Sequence, residues 1–269
     1  TGGEALLIHK YEKTALLDCG QAFCGNEMVK NLKEALDGRH LDYILVSHSH
    51  YDHIGALSVT LDSFPDTVVV GSEKAFLVFK SDGARKLIKK LAEDARDLYS
   101  DSTEEIKTAN MRIDRIVREG DRIDLGGGFI NVLETKGHTN CCLTYVLEPD
   151  SIMFLSESTG VLEGDQEVHS AILTGYRDSL DSALKCRNYG AKTLVCPHYG
   201  LIPEFFDNFT ELAVKEKDLV SSWYKKGLTD EEVLNEYVSH FWTKERNTQQ
   251  PYEAFVENAK ATVRILKDA

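Results

Sequence analysis

A chain of 269 residues is long enough for one large domain or two small ones, and its 42% apolar content suffices for a packed core. The net charge of −13, with no Lys/Arg run beyond short pairs such as Lys89-Lys90, argues against a nucleic-acid partner. No window approaches the roughly 18 apolar residues a membrane span needs, and 28% charged residues with five prolines argue against long disorder.

The opening TGGEALLIHK lacks the basic-then-apolar pattern of a signal peptide. The start at Thr1 is expected to lie behind a further strand of the natural chain. Strands are expected over 4–8 and 14–17, and the apolar spacing of Val29, Leu32, Ala35 and Leu36 predicts a helix over 28–36. A buried strand over 42–46 is followed by a helix over 54–61 and another buried strand over 67–70. Ala84, Leu87, Ile88, Leu91, Ala95 and Leu98 fall on one face of a helix over 84–98 whose other face is charged. A second helix is expected over 104–110, so that a helical insertion covers about 73–110.

Strands return over 112–117, 122–125, 129–134, 143–147 and 151–155. Gly126-Gly127-Gly128 reads as a turn, since no GK[ST] follows to make it a phosphate loop. A helix over 180–189 ends at Gly190, and a last buried strand occupies 193–196. After Pro203 the chain reads as all helix. Phe209, Leu212, Ala213, Leu219, Val220 and Trp223 share a face, and Thr229 to Glu232 form a capping box. Pro251 suits the first turn of the final helix, with Tyr252, Phe255, Val256, Ala259, Val263 and Leu266 inward. The expected division is a mixed α/β body over 1–203 and a helical region over 204–269.

The six cysteines (Cys19, Cys24, Cys141, Cys142, Cys186 and Cys196) are scattered and include an adjacent pair. They read as reduced, buried thiols of a cytoplasmic protein.

The stretch SHSHYDHIG, residues 47–55, holds a third of the nine histidines directly after the apolar LDYILV. In extended chain His48 and His50 point the same way, so both imidazoles can reach one ion. Asp52 and His53 follow where the chain turns into helix, which aims them elsewhere. So short a loop does not bring all four groups to one ion, whereas two ions about 3.5–4 Å apart can use them. Further candidates sit at the C-terminal ends of strands: His138 in KGHTN, Glu157 in FLSESTG and His198 in CPHYG. Loops at one edge of an open sheet converge on one crevice. His9, His40, His169 and His240 lack this context and read as ordinary surface or packed histidines.

The order H-x-H-x-D-H, G-H-T, F-x-x-[DE] and a late His after a strand resembles the metallo-β-lactamase superfamily, over about residues 5–200. LLDCG at 16–20 resembles that family's early I-D-T-G element. The resemblance implies an α/β fold, a four-layer αββα sandwich with a dinuclear site on one edge. It implies that His48, His50 and His138 hold one metal, that Asp52, His53 and His198 hold the other, and that Glu157 bridges them. Asp18 becomes a carboxylate behind the ligands that orients them. Two departures stand out: Glu157 where Asp is usual, and Asn140 where many members have Pro. The family's oxygen-reducing di-iron branch carries Glu at the position of His50 and an added flavin domain, so that chemistry is disfavoured. The C-terminal helices resemble those of hydroxyacylglutathione hydrolases, which cover the metal edge, in general position only. No basic glutathione-binding set is visible.

With neutral histidines, Asp52, Glu157 and a bridging hydroxide leave a centre of two divalent ions at net +1. Such a centre polarises a carbonyl or phosphoryl oxygen and makes hydroxide available near neutral pH. All-His/carboxylate ligation suits Zn²⁺, Fe²⁺ or Mn²⁺. The expected activity is hydrolysis of a small ester-like substrate (a thioester, a lactone or similar) by direct water attack. Asp52 doubles as a proton acceptor. Tyr199, beside His198, is read either as an oxyanion contact or as a packed or surface tyrosine, and Tyr176 is read likewise. The alternatives are a phosphodiesterase and a low-turnover metabolite-binding or regulatory protein. A small-molecule partner is expected, with no nucleic acid and no membrane; the sequence leaves the oligomeric state open.

Overall fold

A computed structural model describes residues 4–163, 167–203, 205–242 and 250–269. The chain forms two compact bodies: Gly2–Glu134 with Leu143–Ile152, and Thr135–Cys142 with Met153–Ala269.

In the first body, β1 (Leu6–Ile8) and β2 (Ala15–Leu17) form an antiparallel hairpin. On β2 lie β3 (Tyr43–Leu45), β4 (Val68–Gly71) and β5 (Arg115–Ile116), each parallel to its neighbour, in the order β1-β2-β3-β4-β5. Parallel strands are covered on both faces and so carry unbroken apolar runs. Leu16, Ile44 and Val69 sit in register across the three central strands, and all are buried. The crossovers are helical: α1 (Gly25–Leu36) between β2 and β3, then α2 (Tyr51–Ile54) and α3 (Leu57–Ser63) between β3 and β4. Val29, Leu32 and Leu36 form the buried stripe of α1. Two more helices follow β4, namely α4 (Glu73–Lys80) and α5 (Asp82–Tyr99). The side chains of Ser72 and Ser81 cap them by accepting from the backbone N–H groups of Ala75 and Ala84. An antiparallel meander, β6 (Arg122–Asp124), β7 (Phe129–Glu134) and β8 (Leu143–Glu148), completes this body, with Gly126 and Gly127 in the expected turn. The meander is tied to the chain leaving β3: the Tyr145 hydroxyl donates to Val46 O at 2.9 Å, and Leu143 N donates to Ser47 O at 2.8 Å.

Three expectations for this body are corrected. Residues 104–110 are not helical. The hydroxyls of Ser100 and Ser102 accept from the backbone N–H groups of Ser102 and Glu104. The segment instead runs with Ile106 buried and Lys107 paired to Asp62 at 2.8 Å. The strand expected over 112–117 shrinks to Arg115–Ile116. Finally, the apolar face of α5 is wider than the surface that covers it. Ile88, Ala92 and Ala95 are buried, but Leu87 and Leu98 remain 57% and 52% exposed.

In the second body, β9 (Ile152–Phe154) leads to a hairpin of β10 (Val161–Glu163) and β11 (Glu167–His169). Then come α6 (Tyr176–Tyr189), β12 (Thr193–Cys196) and β13 (Gly200–Ile202), with the order β13-β12-β9. The hairpin and β13 escaped the sequence reading because strands of three residues are too short to show alternation. Three helices follow: α7 (Phe206–Lys225), α8 (Asp230–Phe241) and α9 (Tyr252–Lys267). Their core is Val220, Trp223, Val233, Tyr237, Phe255, Ala259, Val263 and Leu266. The capping box at Thr229 and Glu232 forms as expected. Pro251 takes the N-cap of α9, one position before its first turn, and Tyr252 is 45% exposed, not inward.

Candidate metal centre

Each body presents its own set of imidazole and carboxylate side chains that could hold a metal ion. In the first, β2 and β3 end side by side, and the chain beyond each supplies the site. Asp18, one residue past β2, adopts φ 53, a left-handed conformation that Asp tolerates better than most residues. Its N–H donates to Leu45 O at 2.9 Å, which locks it to the end of β3. Its buried carboxylate then accepts three bonds: from Ser47 N at 2.8 Å, from the Ser47 hydroxyl at 2.6 Å and from His53 Nδ1 at 2.8 Å.

Those bonds fix the tautomers. An ionised carboxylate only accepts, so His53 carries its proton on Nδ1 and keeps the Nε2 lone pair for a ligand. The Ser47 hydroxyl has one proton, and Asp18 takes it. Its oxygen therefore accepts from His48 Nδ1 at 3.0 Å, which leaves the His48 lone pair on Nε2 as well.

His50 is the extended N-cap residue of α2, and its carbonyl accepts from the N–H groups of His53 and Ile54. The turn brings the three rings together, with His48 centred 4.6 Å from His50 and 4.2 Å from His53. Asp52 stands half-buried in the first turn of α2. From the other side, the N–H groups of Cys19 and Gly20 hold the His53 carbonyl at 2.7 and 3.0 Å. This packing leaves room only for glycine at position 55, where a Cβ would stand 2.6 Å from Ala22 N.

The second body supplies His138, Glu157 and His198. His138 follows Gly137, whose carbonyl gathers the N–H groups of Leu173, Thr174 and Gly175 at 2.8–3.3 Å. Gly137 has φ 131, and a Cβ there would stand 2.7 Å from the backbone of Ser179. Only glycine brings the two segments this close. His138 N donates to the Ser158 hydroxyl at 3.0 Å, and Nδ1 donates to Ala171 O at 2.8 Å. A carbonyl cannot donate, so the His138 lone pair is again on Nε2. Glu157 opens a short 3₁₀ turn after β9 and is 7% exposed. One carboxylate oxygen lies 3.0 Å from His138 Nε2, and the other lies 2.8 Å from Nε2 of half-buried His198. His198 leaves β12 in a left-handed conformation, φ 64.

This geometry fits a cation. An imidazole nitrogen that carries a lone pair repels a carboxylate oxygen at about 3 Å unless positive charge lies on or between them. The whole donor set is imidazole nitrogen and carboxylate oxygen, which suits divalent transition metals.

Among the described residues, no thiol belongs to either candidate ligand group. Five of the six cysteines are buried and all are free; burial pushes Cys142 up to about 12 and also raises Cys19. Cys24 is exposed, contrary to the expectation of a buried hydrophobe. Tyr199 is 40% exposed. Tyr176 is half-buried beneath Lys217, whose Nζ lies 5.3 Å from the ring centre. His9, His40 and His240 are exposed, and His169 ends β11. Ser47, Ser158 and the Ala171 carbonyl were missed. They act through bonds to other residues, and no spacing in the sequence marks them.

Residues 2–198 match the model of the metallo-beta-lactamase superfamily. The chain belongs to that superfamily. Its members are mostly hydrolytic, and the fold family binds zinc or iron. The chain is 28% identical over 195 residues to a hydroxyacylglutathione hydrolase of Ruegeria pomeroyi, covering 69% of this chain and 61% of that one. It therefore spans less than two thirds of that relative's length. A nitric oxide reductase of Moorella thermoacetica is 35% identical over 65 residues, or 24% of this chain and 16% of that one. A metallo-beta-lactamase family protein of Thermus thermophilus superposes with a TM-score of 0.64 at 17% identity, covering 97% of this chain and 85% of that one. At such identity the likeness establishes the fold, which is the mixed α/β fold of the superfamily. Among the described residues, no helix is long and apolar enough to cross a membrane.

Proposed function

We propose that the chain is a metal-dependent hydrolase of a small ester-like substrate, such as a thioester or a lactone, and that it works with two divalent ions. His48, His50, His138 and Glu157 would hold one ion, and Asp52, His53, Glu157 and His198 the other. The observation that carries this reading is Glu157. Its two oxygens lie against Nε2 of two different histidines, His138 and His198, as a carboxylate shared between two ions would. The matched hydroxyacylglutathione hydrolase of Ruegeria pomeroyi supports hydrolysis as the reaction class.

When bound, such ions supply a water of lowered pKa and a Lewis acid for the substrate carbonyl. The chain's own residues hold and orient. Asp18 keeps the proton of His53 on Nδ1 and, through Ser47, the proton of His48 on Nδ1. Ala171 does the same for His138. These bonds fix the imidazole planes before any ligand arrives, which removes a reorganisation cost from binding. Asp52 accepts the proton released in water attack. Tyr199 offers its hydroxyl to the developing oxyanion. The six free cysteines suit a reducing compartment, and we assign the protein to the cytoplasm.

The test pairs elemental analysis with a substrate panel on one metal-loaded sample. The panel holds thioesters, lactones and bis(p-nitrophenyl) phosphate. Two metal equivalents with turnover of a thioester or lactone are expected. A fully metallated protein that turns over nothing, or only the phosphodiester, overturns the assignment.

A further inference from the structure

The outer flank of α5 carries an apolar stripe that the fold leaves uncovered. Ile88, Ala92 and Ala95 face inward, where the helix packs on α4 and on α2, the helix that bears Asp52 and His53. Leu87 and Leu98 are 57% and 52% exposed, and half-buried Leu91 lies between them. At about 100° per residue, spacings of four and seven place the three leucines on one line along the helix. The helix has 18 residues and is about 27 Å long, so the line runs most of its length.

The charges beside that line are divided by sign. On the outward side, Lys86 and Lys90 flank its N-terminal half, while Asp94 and Asp97 flank its C-terminal half. This division contains its own complement. A two-fold axis perpendicular to a pair of antiparallel helices keeps each outward side outward. It also sets the N-terminal half of one helix against the C-terminal half of the other. Leu87 then meets Leu98 of the second copy, and Lys86 and Lys90 meet Asp97 and Asp94. A parallel two-fold would instead carry the charged flank of the second copy to the opposite side of the seam, so that neither set of charges meets the other.

We propose that two copies of this chain associate through α5 in this antiparallel, isologous manner. The partner is a second copy rather than another protein, because stripe and charges are self-complementary only under that rotation. Lys90 and Asp94 also pair within one helix, at 2.5 Å. Exposed pairs of that kind contribute little and do not oppose repartnering. The association uses no metal ligand and stands independently of the hydrolase reading.

Sedimentation velocity on the purified chain is the test, at concentrations up to about 100 μM, which spans the micromolar dissociation constants of small interfaces. The wild type is expected to form dimers. Leu87→Glu/Leu98→Glu should be monomeric, with the wild-type circular dichroism spectrum. Lys86→Glu/Lys90→Glu and Asp94→Lys/Asp97→Lys should each be weakened as homodimers by roughly tenfold or more. Mixed one to one, those two variants should form a heterodimer, because each then meets opposite charge along the whole seam. Three results overturn the proposal: a monomeric wild type over this range, a dimer unaffected by the leucine variant, or charge variants that fail to recover on mixing.

Discussion

Asp18→Asn isolates what the buried carboxylate does, because the change is nearly isosteric. Asp18 Oδ2 accepts from both the Ser47 hydroxyl and His53 Nδ1, and Oδ1 accepts from Ser47 N. An asparagine can place its oxygen at only one of those positions. With the oxygen at the Oδ2 position, the amide NH₂ faces the backbone N–H of Ser47. Two donors then oppose each other in a buried site, at a cost of about 1–3 kcal/mol. With the oxygen at the Oδ1 position, the NH₂ faces His53 Nδ1, which must become an acceptor. That moves the His53 proton to Nε2, the atom meant for a ligand, and the Ser47 hydroxyl is freed to push the His48 proton to Nε2 as well. Either arrangement costs the site its preset geometry. The expected loss is roughly 10–100-fold in metal affinity, about 1.4–2.7 kcal/mol. Competition with a chromophoric chelator measures it, and thermal unfolding of the metal-free protein reports the structural part, at about 2–4 °C per kcal/mol for a chain of this size. Unchanged metal affinity in a folded Asp18→Asn protein would refute the role given to Asp18.

Other variants probe the remaining parts. His50→Ala should lower metal content and abolish hydrolysis, while His169→Ala should leave both nearly unchanged; equal losses in the two would mean that the wrong histidines were assigned. Gly137→Ala should destabilise the fold by roughly 2–5 kcal/mol in urea titration, since it combines backbone strain at φ 131 with a collision against Ser179. The Glu232 carboxyl is held below its ordinary value by the Thr229 backbone N–H and hydroxyl. A lowered folded-state pKa means that its stabilising contribution is complete above the ordinary carboxyl range and fades as pH falls through the lowered value. Glu232→Gln keeps a capping side chain and should remove that part of the acid dependence of α8, read by amide exchange between about pH 3 and 6, the range over which a carboxyl titrates.

Where local pattern and tertiary need agreed, the sequence was read correctly. Ile44, Val69 and Val70 lie in strands buried on both faces, and their unbroken apolar runs declare it. The clustering of the SHSHYDHIG histidines was legible too, since the three rings do lie together. Less visible were features set by neighbours far along the chain. Residues 104–110 hold a helical composition, but the segment runs extended enough to bury Ile106 and to pair Lys107 with Asp62 of α3. Leu87 and Leu98 repeat at a core spacing, yet whether a side chain is covered depends on what packs against it. The groups behind the ligands were the hardest to see: Ser47 is one serine among many, and Ala171 contributes only a carbonyl oxygen.

X-ray absorption on the metal-loaded protein addresses the central claim most directly. Two ions held by His48, His50, Asp52, His53, His138, Glu157 and His198 should give a first shell of nitrogen and oxygen alone, at about 2.0–2.2 Å for zinc. A metal–metal scattering path at about 3.5–4 Å should accompany it. A sulfur shell, or a single ion with no second metal nearby at full loading, would contradict it.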